Sequence, residues 1–236
     1  MKKFISTILL LAAIGMFTAC ENDKFYYQDE ARVRIEGPYE WAVGTDSLTF
    51  SFAIYPSQVT EQNMEMKLYV MGEAASTDRT AKLAIDASLT TAQASQYVFP
   101  ETVTVPAGKL EAPFIVTLKR TEDLTANTVS LYFKVVETAD FKEGVIEQDH
   151  FCIKWNDTLS KPKNWDTELL EFFGEFSLVK YRFIIDTIGF GEFSATSMSW
   201  SELTNYKIIM KTALDEYNDA HPGEPLKDEN GQLVTF

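Results

Sequence analysis

The sequence predicts a mainly β protein with a smaller α region: an antiparallel, immunoglobulin-like β-sandwich followed by a helical C-terminal subdomain. Three observations carry this. Apolar and polar residues alternate along a series of short segments between Ala31 and Trp155, the mark of strands with one face in a core. Proline, glycine and asparagine punctuate those segments at short intervals, as turns in a sandwich do. After Trp155 the apolar spacing lengthens to three and four residues between helix caps, which is the helical period.

The amino terminus comes first. Lys2 and Lys3 precede an apolar run from Phe4 to Phe17. That run is shorter than the roughly 20 residues a bilayer-spanning helix needs, so residues 1–19 read as a signal peptide. Its seam, Phe17-Thr18-Ala19-Cys20, resembles the bacterial lipobox, with phenylalanine where leucine is usual. The resemblance implies that Cys20 is lipidated and becomes the first residue of the mature chain. Acyl chains contribute ~0.8 kcal/mol per buried methylene, and two or more hold a protein on a membrane durably. Residues 20–30 form the tether. Its acidic start, Glu21-Asn22-Asp23, resembles the export signal of surface-exposed lipoproteins; a solvated tether facing the periplasm is the other reading.

Residues 31–155 are the expected sandwich. "SLTFSFAI" places Leu48, Phe50, Phe52 and Ile54 on one face, and "MEMKLYV" does the same with Met64, Met66, Leu68 and Val70. The pattern returns in "KLAI", "TVTV", "APFIVTL", "VSLYFKV" and "HFCIKW". Ser88 to Tyr97 is expected to add one short helix. Strand order cannot be read from these signals.

Asn156 to Asn164, polar and containing a proline, is expected to be a linker. In the helical subdomain, 165–236, "WDTELLEFFG" and "SLVKYRFIIDTIG" both close on glycine, and Ser177 is placed to cap the second. Ser199 to Glu202 has capping-box spacing ahead of Leu203, Tyr206, Met210, Leu214 and Tyr217, the apolar stripe of a longer helix. Asn230-Gly231 is a hairpin-type turn near the end.

Composition narrows the function. The 236 residues carry 21 Lys and Arg against 35 Asp and Glu, a formal charge of -14. A polyanion would be repelled, which excludes nucleic acid as a partner. With Cys20 acylated, Cys152 has no partner for a disulfide and reads as a packed thiol on the opposite strand face from Phe151, Ile153 and Trp155. The chain has two histidines, His150 and His221, with no shared ligand spacing, so no metal site is expected. Asp228 to Gly231, "DENG", is a turn rather than a calcium loop. No phosphate loop, dinucleotide fingerprint or nucleophile elbow is present. No catalytic residue and no cofactor are assigned.

The lipobox seam, "FPETVTVPAGKLEAPFIVTLKRTEDL", "WDTELLEFFGEFSLVKYRFI" and "DENGQLVTF" together resemble a family of surface lipoproteins of unknown function from gut Gram-negative anaerobes. Members of that family often accompany outer-membrane glycan-uptake systems of the starch-utilisation type. The resemblance implies attachment to the outer membrane, a glycan ligand and uptake proteins as partners, and it assigns no active-site residue. The expected function is a non-enzymatic binding or assembly accessory in glycan or nutrient uptake. The alternatives are a glycoside hydrolase using paired carboxylates and a purely structural outer-membrane protein.

Two sets of residues are singled out. Tyr26, Tyr27, Tyr39 and Trp41 would form an aromatic sugar-binding surface if exposed; the competing reading buries Trp41 and lays the tyrosines over an edge. Asp46-Ser47-Leu48, Asp157-Thr158-Leu159 and Asp186-Thr187-Ile188 each resemble a bacterial O-glycosylation sequon, which would modify Ser47, Thr158 and Thr187. Thr158 is expected to be the most accessible and Thr187, within a helix, the least.

Overall fold

Alternation becomes strand wherever one face finds a core. The computed structural model describes residues 30–39, 42, 44–144 and 146–236. The signal peptide, Cys20, Tyr26, Tyr27 and Trp41 lie outside the described residues. The strands are β1 (Arg32–Glu36), β2 (Ser47–Ser51), β3 (Glu61–Met71), β4 (Arg79–Ile85), β5 (Tyr97–Val98), β6 (Thr102–Val105), β7 (Glu111–Lys119), β8 (Val129–Val136) and β9 (His150–Asn156). They form two sheets, ordered β1-β3-β7-β5 and β2-β9-β8-β4-β6. Neighbouring strands are antiparallel except β2 and β9, which run parallel with Ser47 opposite Cys152 and Ser51 opposite Asn156. The mainly β, immunoglobulin-like sandwich with a helical region after it is what the sequence predicts.

The inner faces explain the register. Met64, Met66 and Leu68 of β3 and Val116 and Leu118 of β7 meet Leu83 of β4, Leu131 and Phe133 of β8, and Phe151, Ile153 and Trp155 of β9 in one apolar core. Each such side chain stabilises the fold by about 1.5–3 kcal/mol on burial. A one-residue slip of any strand would turn this set to solvent.

Two sequence expectations are corrected. β2 stops at Ser51, not Ile54, because the Ser51 hydroxyl accepts the Ala53 N–H at 3.2 Å and the chain turns through one 3-10 turn, Phe52–Ile54. Phe52 remains fully buried. The helix expected over Ser88 to Tyr97 contracts to the 3-10 turn Ala94–Gln96. Ahead of that turn, Thr91 and Ala92 donate their backbone N–H groups to the Ser130 carbonyl, and the Thr90 hydroxyl accepts the Tyr132 N–H at 3.0 Å. Bonding to the sheet thus displaces the helical ladder.

The helical region packs around Trp165. One wide turn, Trp165–Leu169, with i→i+5 bonding, leads into α1 (Leu170–Phe173), which closes at Gly174 with φ 71°. Helix α2 (Leu178–Ile188) starts where Ser177 accepts the Lys180 N–H at 3.0 Å, and stops at Gly189 with φ 98°. Helix α3 (Trp200–Ala220) has the expected capping box between Ser199 and Glu202. Trp165, Leu169, Phe173, Tyr181, Ile184, Ile185, Leu203 and Met210 form its core, with Tyr206 packed at the edge. Near the end, a turn at Asn230-Gly231 brings the Glu229 carboxylate to the Leu178 N–H at 3.0 Å, capping α2 from another part of the chain. No helix among the described residues is long and apolar enough to cross a membrane.

Charged side chains fasten α2 to the sandwich. Arg120, at the end of β7, donates to both Asp157 carboxylate oxygens at 2.8 and 2.7 Å and to the Pro56 carbonyl at 2.7 Å. Arg182 of α2 reaches the same carboxylate at 3.4 Å and the Tyr55 carbonyl at 3.0 Å. Asp186 accepts the backbone N–H and the hydroxyl of Ser57 at 2.6 and 2.9 Å. Two apolar cores therefore lie within one compact unit, Ala31–Phe236.

Candidate functional site

A cleft opens on the outer face of the four-stranded sheet, where β1 leaves β3. The two strands pair from Arg32 opposite Met71 to Glu36 opposite Lys67, and no further. Past Glu36 the chain turns over the sandwich edge through Gly37, Pro38 and Tyr39. A Cβ at Gly37 would stand 2.6 Å from the Phe151 ring and 2.7 Å from Ala42 Cβ, so this close passage needs glycine. β3 continues to Glu61 with β7 on one flank and no strand on the other among the described residues. The gap is a cleft of about 520 Å³, lined by Gln62, Asn63, Glu65, Lys67 and Tyr69 of β3 and by Tyr39.

Alternation supplies its chemistry. The same period that turns Met64, Met66 and Leu68 inward turns Asn63, Glu65, Lys67 and Tyr69 outward. Tyr39 is 85% exposed. Tyr69 is half-buried, with the Arg34 guanidinium 4.6 Å from its ring centre, a cation–π contact that stiffens both side chains. The cations at the cleft have partners. Arg34 lies 3.7 Å from Glu36, and Lys67 lies 3.5 Å from Glu111. The charges of Glu111 and Tyr69 raise the Lys67 pKa above the usual lysine value. Asn63 accepts the Thr117 hydroxyl through its side-chain oxygen at 2.8 Å, leaving its amide N–H groups for another acceptor. Aromatic faces beside amide and carboxylate groups suit a polyhydroxylated ligand with apolar C–H faces.

A second hollow of about 400 Å³ lies between β2 and the helical region, lined by Ile54, Leu159, Pro162, Tyr181 and Phe193 among others. Its buried tyrosine is already engaged. The Tyr181 hydroxyl donates to the Gly191 carbonyl at 2.5 Å, and burial pushes its pKa up to about 12. The first cleft has the freer polar groups.

Of the aromatic set the sequence singles out, Tyr39 lines the cleft, and the others lie outside the described residues. Ser47 is exposed on β2, its hydroxyl donating to Asp46 at 3.1 Å. Thr158 is exposed just beyond β9, behind the buried Asp157. Thr187 is also exposed, on the outer face of α2. Cys152 is half-buried between Ser47 and Tyr132 in register. Burial pushes its thiol pKa up, which keeps it protonated and unreactive near neutral pH. On the same face, His150 holds Asp149 at 2.8 Å and stacks on Tyr132 at 5.1 Å. No group of three or more His, Cys, Asp or Glu among the described residues is placed to hold a metal.

Sequence reasoning missed Tyr69, Glu65, Asn63, Gln62 and Lys67. The signal was the polar half of "EQNMEMKLYV", which reads as an ordinary solvated strand face until β1 is seen to stop short.

One family model, described as a domain of unknown function, matches residues 23–190 and runs through the Asn156 to Asn164 segment into α2. Among curated proteins, none matches the chain. Solved structures match the chain at low identity and low TM-score. A candidate carbohydrate binding protein from Bacteroides ovatus is 14% identical over 54% of this chain and 37% of its own, with a TM-score of 0.38. A two-domain protein of unknown function from Bacteroides fragilis is 14% identical over 53% and 45%, with a TM-score of 0.39. An auxiliary nutrient binding protein from Bacteroides thetaiotaomicron is 12% identical over 47% and 44%, with a TM-score of 0.35. The chain thus spans less than half the length of each.

Proposed function

The chain belongs to the DUF4843 family, a domain of unknown function, so kinship supplies no activity, and from the cleft we propose a non-enzymatic module that binds carbohydrate. The observation that carries this reading is the cleft where β1 ends, with Tyr39 and Tyr69 beside Gln62, Asn63, Glu65 and Lys67. Sugar rings offer C–H faces to the tyrosines and hydroxyls to the amides and carboxylate. Glycan-array screening of the purified chain tests it, together with an assay for released reducing sugar. Binding without release is expected. Tyr39→Ala and Tyr69→Ala should each weaken it about tenfold, a loss of about 1.4 kcal/mol. Release of sugar would overturn the non-enzymatic reading, and binding unchanged in both variants would move the site elsewhere.

The proposal extends to location. Lipidation at Cys20 would hold the module on the outer membrane, facing outward behind its acidic tether, where it would serve glycan uptake proteins as an accessory. The lipobox resemblance supports this. The wild-type chain should partition into the detergent phase on Triton X-114 separation, and Cys20→Ser should remain in the aqueous phase. Equal partitioning of the two would remove the anchor.

Assembly with a neighbouring protein is the second reading. Trp200, Ile208 and Ile209 support it, lying exposed on α3 at 64%, 58% and 39%. Silence on glycans would bring these side chains forward.

A further inference from the structure

We infer that Glu65 selects the ligand, fixing an uncharged glycan through its hydroxyls and rejecting acidic ones; this rests on the carbohydrate reading of the same cleft. The inference follows from which polar groups of the cleft are already engaged. Asn63 takes the Thr117 hydroxyl on its side-chain oxygen at 2.8 Å, which leaves that side chain only donors, and Gln62 donates its amide to the Asn63 carbonyl at 3.3 Å. Glu36 faces Arg34 at 3.7 Å, and Glu111 faces Lys67 at 3.5 Å. Glu65 lines the cleft, is exposed, and its carboxylate has no hydrogen bond or ion pair to any of the described residues. The uncompensated charge in the cleft is therefore a carboxylate.

Its position is set by register. Glu65 stands opposite Ile115 of β7 and two residues from Lys67, where the pairing with β1 ends. Its side chain thus rises on the outer face with Lys67 and Tyr69, on the reach of β3 that lacks a second neighbour. A carboxylate with both oxygens free accepts two adjacent hydroxyls of one sugar ring, and charge assistance makes such bonds short and strong. For a uronate or sulfated sugar the same group is a like charge. Arg34 and Lys67 offer little relief, since each already faces a glutamate, and the net charge of -14 adds to the repulsion. Recognition of neutral sugar and exclusion of acidic sugar come from one side chain.

The test is calorimetric titration of the purified full-length chain in detergent. The neutral probes are maltohexaose, cellohexaose, mannohexaose and xylohexaose; the acidic probes are oligogalacturonate and a heparin hexasaccharide. At least one neutral probe should bind, and neither acidic probe should. Glu65→Gln should weaken the neutral probe at least tenfold. Glu61→Gln, on the same strand face but outside the cleft lining, should not change it. Unchanged thermal denaturation in both variants separates lost recognition from lost fold. Adding Glu36→Gln to Glu65→Gln should open the cleft to oligogalacturonate. Acidic glycan bound by the wild type, or neutral glycan bound equally by Glu65→Gln, would overturn the role of Glu65 while leaving the carbohydrate reading in place. No binding to any probe would overturn both.

Discussion

Asp157→Ala is expected to destabilise the protein by about 3–5 kcal/mol, because it leaves the buried Arg120 guanidinium without its carboxylate. The side chains of Arg120 and Asp157 are 9% and 10% exposed, and their contact is bidentate. Arg120 would retain the Pro56 and Val59 carbonyls at 2.7 and 3.3 Å, which accept its hydrogen bonds but cannot neutralise it. Arg182 would lose the same partner and keep the Tyr55 carbonyl. Urea denaturation monitored by tryptophan fluorescence measures the loss. Asp157→Asn, which keeps the shape and part of the hydrogen bonding, should cost less. Paired replacement by Arg120→Met and Asp157→Leu should recover much of the stability, as apolar substitutes for buried ion pairs do. A loss below about 1 kcal/mol for Asp157→Ala would mean that water reaches the carboxylate and that the pair behaves as a surface one.

Trp165→Ala should be comparably severe, at about 3–5 kcal/mol. Trp165 is fully buried and donates its indole N–H to the Gly174 carbonyl at 3.0 Å. Around it stand Phe176, Tyr181 and Phe173, with ring centres at 5.0, 5.5 and 6.0 Å. Removing it opens a cavity and frees a carbonyl at the end of α1. We propose that the sandwich, 31–155, and the helical subdomain, 165–236, are separate folding units joined by the 156–164 linker, and this variant tests that division. Hydrogen exchange should accelerate first at α2 and α3, while β3, β7 and β8 stay protected. Equal acceleration throughout would make them one cooperative unit.

The sandwich was legible because its strands are buried on one face. Period two is then imposed residue by residue, and Met64 through Val70 or Val129 through Val135 report it directly. The helix caps were legible because Ser177, Ser199 and the glycines act within one turn of chain. Contacts between distant segments left no such trace. Arg120 and Asp157 are 37 residues apart, and nothing local distinguishes them from solvated charges. Lys180 misleads in the same way. Its side chain is buried, donating to the Phe173 and Glu175 carbonyls at 3.0 and 2.7 Å, and desolvation pushes its pKa down. The cleft was half legible. Tyr39 stood out as an aromatic, whereas Glu65 becomes unusual only once its neighbours are seen to be paired.

The parallel pairing of β2 with β9 bears on how this protein carries mechanical load. Tension that enters the chain ahead of β2 and leaves it beyond β9 pulls the two strands along their length in opposite directions. The five register pairs from Ser47 opposite Cys152 to Ser51 opposite Asn156 then resist in shear, sharing the force, instead of unzipping one at a time.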